Sequence, residues 1–377
     1  KILETASYRE ENPELKIIVS GCLAQRYADD IRAELPEVDG IMGTGSYSEV
    51  VSVVEAVLAG DKPTRRGAIS APLYDTPRAV STGPNWAYLR IAEGCDNRCA
   101  YCVIPSLRGR FRSRTKESIL EEARLLAASG VKELIIVAQD ITRYGIDLYG
   151  KVCLTELLKE LCKLDFRWVR LHYLYPELID DELIDEIASE DKIVKYLDIP
   201  IQHINDTILR RMNRRGTGEE IRALFKKLRE RIPGLVLRTS LITGLPGEGE
   251  AEFEELCDFL REAKIERAGV FPYSPEEGTP AALMPDRCST EEAQRRAELC
   301  MEIQAEIMDG FAETFIGREL DVLVMGREPD GTPWGRSEYD SPDIDSRVIF
   351  SGDAAPGDMV RVRIDSVDDG ELIGEQI

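Results

Sequence analysis

The chain has 377 residues, a hydrophobic fraction of 43% and a formal net charge of −22. This composition is ordinary for a globular protein of two or three domains. The acidic charge is unlike that of a general nucleic-acid-binding protein, which is usually basic because Lys and Arg displace counterions from phosphates. The sequence contains no apolar run of 18 residues and no signal-peptide pattern, so we expect a cytoplasmic protein without membrane contact.

Residues 1–62 alternate strands with helices, which is typical of a parallel sheet. The predicted elements are strands at 16–20 and 38–43 and helices at 24–35 and 46–59. We interpret this segment as an incomplete N-terminal α/β domain. The string Gly43-Thr44-Gly45 lacks the third glycine of a dinucleotide-binding motif and is interpreted as a turn. Residues 63–85, rich in Pro, Thr, Gly and Arg, are predicted to be a linker.

Residues 86–312 repeat the alternation at greater length. Strands are predicted at 87–92, 133–138, 168–174, 195–200, 235–242 and 267–272, and helices at 116–129, 154–163, 180–189, 218–231, 250–263 and 290–315. A closed barrel of this kind needs about eight strand–helix units. Six strands therefore predict a partial, open (β/α)6 barrel within an α/β fold.

Residues 313–377 have a different sequence pattern. Short, partly alternating runs occur at 319–325, 347–350, 358–366 and 371–376, divided by Gly, Pro and Asp. Such runs predict a small β-barrel as the final domain.

Three of the nine cysteines, Cys95, Cys99 and Cys102, follow the first barrel strand with the spacing C-x3-C-x2-C. In β/α barrels, this strand end is where the chemistry takes place. Without a secretory signal we expect no disulfides, so the trio indicates a metal site. Three thiolates can hold three irons of a 4Fe–4S cluster and leave the fourth iron open. Two alternatives remain: a zinc site completed by a distant ligand and a redox pair formed by Cys99 and Cys102.

This trio, with Tyr101 before its last cysteine, resembles the signature of the radical S-adenosylmethionine (SAM) superfamily. The resemblance implies that the open iron binds SAM and that an electron cleaves SAM to a 5′-deoxyadenosyl radical, which abstracts hydrogen from an unactivated carbon. It also implies that Tyr101, Gln139, Gly244 and Gly247 bind the cofactor. Gln139 ends the second barrel strand and the two glycines follow the fifth, where glycine allows a ligand close to the backbone.

The same resemblance implies no catalytic residue beyond the cluster ligands, and an electron donor such as flavodoxin or ferredoxin. Arginine-rich strings at 108–114 and 210–215 are interpreted either as solvated faces or as ligand contacts, and the first could bind SAM or substrate carboxylates. His203 follows the fourth strand without an identifiable nucleophile partner. We predict a structural or substrate-shaping role for it.

Other strings narrow the resemblance to the methylthiotransferases. The string from Gly21 to Arg26 resembles the third-cysteine motif of their N-terminal domain, Gly109–Arg114 fits the segment after their trio, and the final domain resembles their TRAM barrel. The family holds an auxiliary 4Fe–4S cluster through three N-terminal cysteines, of which this chain contains Cys22. Because the sequence begins in what reads as the middle of a domain, we expect the other two upstream of Lys1.

The methylthiotransferases of this family act either on tRNA or on a ribosomal protein, and charge favours the ribosomal protein for this chain. Residues 313–377 contain 16 Asp or Glu against six Arg and no Lys, a net charge of −10. A barrel that grips tRNA should be basic, whereas one that docks a basic ribosomal protein should be acidic. The strings 196–203, 273–280 and 339–345 also resemble those of the ribosomal-protein enzymes.

The resemblance therefore implies a RimO-type enzyme that adds a methylthio group to the β-carbon of an aspartate in ribosomal protein S-12. Two alternatives stay open. One is a tRNA (adenosine-2) methylthiotransferase, and the other is a non-catalytic, zinc-containing module that binds RNA or the ribosome.

Overall fold

The computed structural model describes residues 1–70, 79–83 and 85–377, which pack as two units. The first unit contains the described N-terminal residues with Glu93–Arg98 and Cys102–Arg112, and the second contains the remainder, including Cys99–Tyr101. The loop that carries the cysteine trio therefore contributes residues to both units. Residues 71–78 and 84 of the predicted linker lie outside the described residues.

The first unit is built on a parallel three-stranded sheet with the order β1-β2-β3. Its elements are α1 (Ile2–Ser7), β1 (Ile18–Ser20), α2 (Cys22–Arg26), α3 (Ala28–Glu34), β2 (Gly40–Gly45), α4 (Val50–Leu58) and β3 (Thr64–Gly67). The prediction of a parallel α/β arrangement is confirmed. The helix predicted at 24–35 is two helices, and β3 lies inside the segment predicted to be a linker.

The prediction of a turn at Gly43-Thr44-Gly45 was wrong, because these residues end strand β2. A Cβ atom at Gly43 would lie 2.1 Å from Gln25 Oε1, and one at Gly45 would lie 2.6 Å from the carbonyl oxygen of Ala68. The glycines therefore allow the close approach of neighbouring chain on both sides of the strand.

The second unit contains an open sheet of six parallel strands in the order β11-β10-β9-β8-β7-β4. The strands from residue 86 to residue 272 are β4 (Trp86–Arg90), β5 (Ala92–Glu93), β6 (Arg112–Ser113), β7 (Glu133–Val137), β8 (Trp168–Leu171), β9 (Ile193–Asp198), β10 (Val236–Thr243) and β11 (Arg267–Pro272). The helices are α5 (Ile104–Arg108), α6 (Lys116–Ala128), α7 (Ile146–Tyr149), α8 (Leu154–Leu161), α9 (Asp181–Ser189), α10 (Asp206–Arg211), α11 (Gly218–Arg231), α12 (Glu250–Ala263) and α13 (Thr290–Glu313). The partial (β/α)6 barrel is confirmed.

Local sequence explains where two of these helices begin. Thr217 begins α11 with a capping box that includes Glu220, and the Thr115 side chain caps α6. Strand β9 begins and ends two residues earlier than predicted, and the charged Lys195 lies inside it. The Lys195 ammonium group donates to the backbone carbonyls of Glu190 and Ile193, at 2.8 and 3.0 Å.

The C-terminal residues form a closed five-stranded barrel in the order β12-β13-β14-β16-β15. Its strands are β12 (Glu319–Arg327), β13 (Pro333–Ser337), β14 (Val348–Ser351), β15 (Met359–Asp368) and β16 (Glu371–Gln376). The predicted barrel is confirmed, but β13 was missed because Pro and Gly are rare in strands. Among the described residues, every helix is too short or too polar to span a membrane.

A buried ion network connects the C-terminal barrel to the six-stranded sheet. Glu133, at the start of β7, accepts from Arg170 Nε at 2.7 Å and also pairs with Arg336 of β13. Arg267, at the start of β11, donates to Asp340 at 2.9 Å. All five side chains are buried. Opposite charges compensate one another here, so the barrel is fixed to the sheet by specific pairs as well as by apolar packing.

Candidate iron–sulfur site

The three cysteines lie in the loop that follows β4 and β5. Cys95 is 8% exposed, Cys99 is 6% exposed and Cys102 is half-buried. Gly94, directly before the trio, has φ +82°, and a Cβ there would lie 2.1 Å from the carbonyl oxygen of Arg110. The turn into Cys95 therefore requires glycine.

Arg214 and Tyr175 surround the sulfur of Cys99. Arg214 Nη1 donates to Cys99 Sγ at 3.7 Å, and Tyr175 Oη lies 3.5 Å from the same sulfur. The guanidinium carbon of Arg214 lies 4.5 Å from the centroid of the Tyr175 ring, and its Nη2 donates to the carbonyl of Pro200 at 2.7 Å. Arg214 therefore places a buried positive charge beside the Cys99 sulfur.

The hydroxyl of Tyr175 is suited to donate to that sulfur. Burial raises the pKa of Tyr175 above its ordinary value, although the Arg214 charge opposes the shift. The hydroxyl therefore stays protonated at neutral pH and can donate a hydrogen bond to a thiolate. Donors of this kind orient metal ligands and tune the electronic properties of the metal.

In the first unit, Cys22 and Arg108 come together. Arg108 Nε donates to Cys22 Sγ at 3.1 Å, and its Nη1 lies 3.2 Å from Glu93 Oε1. In the same unit, the backbone N–H of Asn97 donates to Cys95 Sγ at 3.5 Å. The sequence predicted roles for Cys22 and for the arginine string separately, and it gave no sign that they meet.

The donor set of the trio fits an iron–sulfur cluster. All three ligands are thiols of one short loop, and the nine cysteines form no disulfide in the described part of the chain. Cys95 and Cys99 each receive a hydrogen-bond donor at sulfur, as cluster-ligating thiolates do. Among the described residues, no three His, Cys, Asp or Glu side chains are grouped so as to hold a single metal ion.

Of the residues predicted to bind the cofactor, Gln139, Gly244 and Gly247 follow the carboxyl ends of their strands, and Tyr101 lies in the cysteine loop. Gln139 is half-buried just after β7, next to the buried Asp140, which accepts from the backbone N–H of Thr142 at 3.0 Å. Tyr101 packs on a cluster of buried apolar side chains that includes Met212. The cofactor roles of Tyr101 and Gln139 stay predictions.

Gly244 and Gly247 follow β10 with φ values of +75° and +88°. A Cβ at Gly244 would lie 2.4 Å from Ala293 Cβ on α13, and one at Gly247 would lie 2.8 Å from Arg211 Nη1. Packing and backbone conformation alone therefore require both glycines. Their predicted contact with SAM stays a prediction.

His203 has the surroundings of a structural residue. It is buried, its Nδ1 accepts from the backbone N–H of Asn205 at 3.0 Å, and its Nε2 lies 3.3 Å from Glu248 Oε2. Glu248 also accepts from Gly244 N at 2.8 Å and pairs with Arg296 at 2.9 Å. His203 and Glu248 thereby link the loop after β9 to the glycine loop after β10.

Arginines of the two arginine-rich strings make contacts within the protein that the sequence did not predict. Arg114, for which a ligand contact was one reading, is buried and pairs with Glu122 at 2.5 Å. Arg110 pairs with Asp96 at the surface, at 3.3 Å. In the second string, Arg214 reaches the cysteine loop. The sequence could not single it out, because the contact joins residues 115 positions apart.

His172, directly after β8, makes the stability of the fold depend on pH. Burial and the charges of Arg170 and Arg238 lower the pKa of His172 to about 3. The unfolded chain binds this proton near pH ~6.5, so the free energy of unfolding should fall by about 1.4 kcal/mol per pH unit as pH drops from ~6.5 toward ~3. Urea unfolding at pH 7 and pH 5.5 should show a smaller pH dependence in His172→Gln than in the wild type. Equal dependence in both proteins would contradict the burial of a neutral His172.

Comparison with known proteins identifies both principal domains. Residues 89–260 match the radical SAM superfamily, and residues 316–377 match the TRAM domain. A ribosomal protein uS12 methylthiotransferase RimO from Lachnoclostridium phytofermentans is 46% identical over 99% of this chain and 86% of that protein. The RimO enzyme from Pelotomaculum thermopropionicum is 50% identical over 96% of this chain and 83% of its own length.

The fold also resembles a solved structure. The radical SAM methyltransferase TsrM from Kitasatospora setae, determined with cobalamin and a [4Fe–4S] cluster, aligns with a TM-score of 0.58 and 17% identity over 75% of this chain and 62% of TsrM. As a radical SAM enzyme, the chain uses SAM and an iron–sulfur cluster. With relatives this similar over nearly its whole length, the chain belongs to the RimO-type family of radical SAM methylthiotransferases.

Proposed function

We propose that this chain transfers a methylthio group to the β-carbon of an aspartate in ribosomal protein uS12, with Cys95, Cys99 and Cys102 as ligands of the SAM-binding cluster. The match over nearly the whole chain to enzymes named for uS12 carries the proposal. Because ribosomal proteins are made in the cytoplasm, the enzyme acts there. Its electron donor is a small redox protein such as flavodoxin or ferredoxin.

When bound, the cluster supplies the electron that cleaves SAM. The chain's own residues hold and shape this site. Arg214 offsets the negative charge of the cluster at Cys99, and Tyr175 donates to the same sulfur. Tyr101, Gln139, Gly244 and Gly247 orient SAM. General acid–base residues are not required, because the reaction proceeds by hydrogen-atom abstraction.

Cys22 is a ligand of a second, auxiliary cluster in this proposal. Arg108 supports this role, since its Nε donates to Cys22 Sγ at 3.1 Å and its guanidinium places a positive charge beside that sulfur. Glu93 holds Arg108 from the other side, at 3.2 Å. Within the sequence given, Cys22 is the one cysteine that precedes Cys95.

The C-terminal barrel supports a protein substrate rather than tRNA. Its net charge is −10, and its arginines are already engaged within the protein. Arg361 pairs with Glu319 and Asp321, and Arg347 pairs with Glu328 and Glu371. Arginines held in this way are poorly placed to bind a phosphate backbone, whereas the acidic excess attracts a basic polypeptide.

The test is an anaerobic assay of the reconstituted enzyme with SAM and reductant, supplied with uS12 in one reaction and with tRNA in another. We expect a mass increase of one methylthio group on an aspartate-containing peptide of uS12 and none on tRNA nucleosides. A bovine serum albumin reaction controls for nonspecific thiolation. Modification of tRNA without modification of uS12 would contradict the proposal and overturn the charge argument.

A further inference from the structure

The loop between β13 and β14, residues 338–347, is held against one face of the six-stranded sheet. Asp340 pairs with Arg267 of β11 at 2.9 Å. Asp345 accepts from Tyr196 Oη of β9 at 2.6 Å and from the backbone N–H of Ser341 at 2.8 Å. Two carboxylates of the C-terminal barrel thus fix this loop on the face of the sheet that carries Arg267 and Tyr196.

The 338–347 loop reaches the carboxyl edge of the sheet. Ser341 Oγ lies 3.1 Å from His172 Nε2, and His172 directly follows β8. Three residues further on, Tyr175 contacts Cys99 Sγ. The loop therefore contacts the same strand end that presents a side chain to the candidate cluster ligand.

The tip of the loop, Asp343 and Ile344, lies in the chain between the anchoring residues Ser341 and Asp345. Ile344 is 53% exposed, and Asp343 is exposed with a left-handed φ of +67°. Burial and the charge of Asp343 raise the pKa of Tyr88 in β4. Strained conformations of this kind persist where the surrounding structure imposes them, often at binding sites.

Exposed apolar surface lies at the same edge. Phe271 is 54% exposed near the end of β11, and the alternation of side chains along a strand puts it on the face that carries Arg267. Tyr173, which follows His172, is 47% exposed and has a φ of +62°. The loop is anchored on this face at Arg267 and Tyr196, whereas Phe271 and Tyr173 near the strand ends stay exposed.

We propose that Asp343 and Ile344 are specificity-determining residues that contact the substrate polypeptide beside its target aspartate. Ile344 packs with Tyr173 and Phe271 against an apolar part of the substrate, and Asp343 pairs with a Lys or Arg that flanks the target. This inference rests on the proposed function. It adds that the C-terminal barrel selects the substrate through one loop inside the site, as well as through its overall charge.

The test measures binding of a fluorescein-labelled peptide of uS12 that spans the modified aspartate, by anisotropy, to the full chain reconstituted with its cluster and SAM. We expect Asp343→Asn to raise Kd at least about 3-fold, in line with one exposed ion pair, and to weaken the salt dependence of binding. Asn tolerates the left-handed conformation, so the loop should keep its shape. Ile344→Ser should raise Kd by a similar or larger factor.

Asp369→Asn is the matched control, because Asp369 is an exposed aspartate of the same barrel with a left-handed φ of +47°. It should bind the peptide as the wild type does. Wild-type affinity, within 2-fold, in both Asp343→Asn and Ile344→Ser would overturn the inference while leaving the proposed function intact. A wild-type enzyme that neither binds nor modifies uS12 would overturn the proposed function, and this inference with it.

Discussion

Cys99→Ala should reduce reductive SAM cleavage at least about 100-fold. Removing a residue that only hydrogen-bonds to a metal ligand typically costs about 10–100-fold in metal affinity or activity, and this variant removes the ligand itself. It should also leave Arg214 and Tyr175 without the sulfur that both contact. The measurement is 5′-deoxyadenosine released under anaerobic, reducing conditions, together with the iron content and the visible absorbance of the reconstituted protein.

Cys162→Ala is the matched control for this variant. Cys162 is also a buried cysteine, but it follows α8 and lies outside the trio. This control should retain wild-type iron content and SAM cleavage. If Cys99→Ala kept both properties, the assignment of the trio as cluster ligands would be wrong.

Glu133→Gln should lower the free energy of unfolding of the second unit by about 3–5 kcal/mol, the usual cost of removing one partner from a buried ion pair. Glutamine keeps the volume but leaves the guanidinium groups of Arg170 and Arg336 without a countercharge. Neither Nη atom of Arg170 has a hydrogen-bond partner among the described residues. Glu133 is therefore the principal compensation for that charge.

Urea unfolding of the apoprotein at neutral pH, followed by far-ultraviolet circular dichroism, measures this effect. Glu254→Gln, an exposed position on α12, makes the same chemical change at the surface and should alter stability by less than about 0.5 kcal/mol. Equal stability of the two variants would show that the network linking the sheet to the C-terminal barrel does not stabilise the fold.

The strands of the sheet were predictable from local sequence because they are buried. A run such as β7, Glu133–Val137, carries apolar side chains on both faces, which is the pattern of a parallel strand covered by helices. The same pattern does not reveal why a charged residue begins this strand. The partner of Glu133 in β13 lies 203 positions away, and no local signal connects them.

Strand β13 shows the opposite case, in which tertiary structure overrides local preference. Pro333 and Gly335 argue against a strand, yet the chain pairs there with both β12 and β14. A Cβ at Gly335 would lie 2.4 Å from the carbonyl oxygen of Leu323. Glycine is therefore required by the close packing of the barrel, which is known only once the barrel is formed.

At the candidate site, spacing predicted the cysteine trio but not its surroundings. Three cysteines in eight residues are a local pattern with few chemical interpretations. Tyr175 lies in the loop after β8 and Arg214 lies between α10 and α11, and only the tertiary fold brings them to Cys99. The contact of Arg108 with Cys22 is similar, since it spans 86 positions. Local sequence therefore predicts ligands better than it predicts the residues that tune them.

The central claim is that the enzyme takes a hydrogen atom from the β-carbon of the target aspartate, and its most direct test follows that hydrogen atom. uS12 deuterated at the β-carbon of its aspartates is incubated anaerobically with the reconstituted enzyme, SAM and reductant, and the 5′-deoxyadenosine is analysed by mass spectrometry. Direct abstraction from the target aspartate predicts deuterium in 5′-deoxyadenosine in proportion to the methylthiolated uS12. Methylthiolated uS12 formed alongside unlabelled 5′-deoxyadenosine would contradict the claim that this site acts on the aspartate β-carbon.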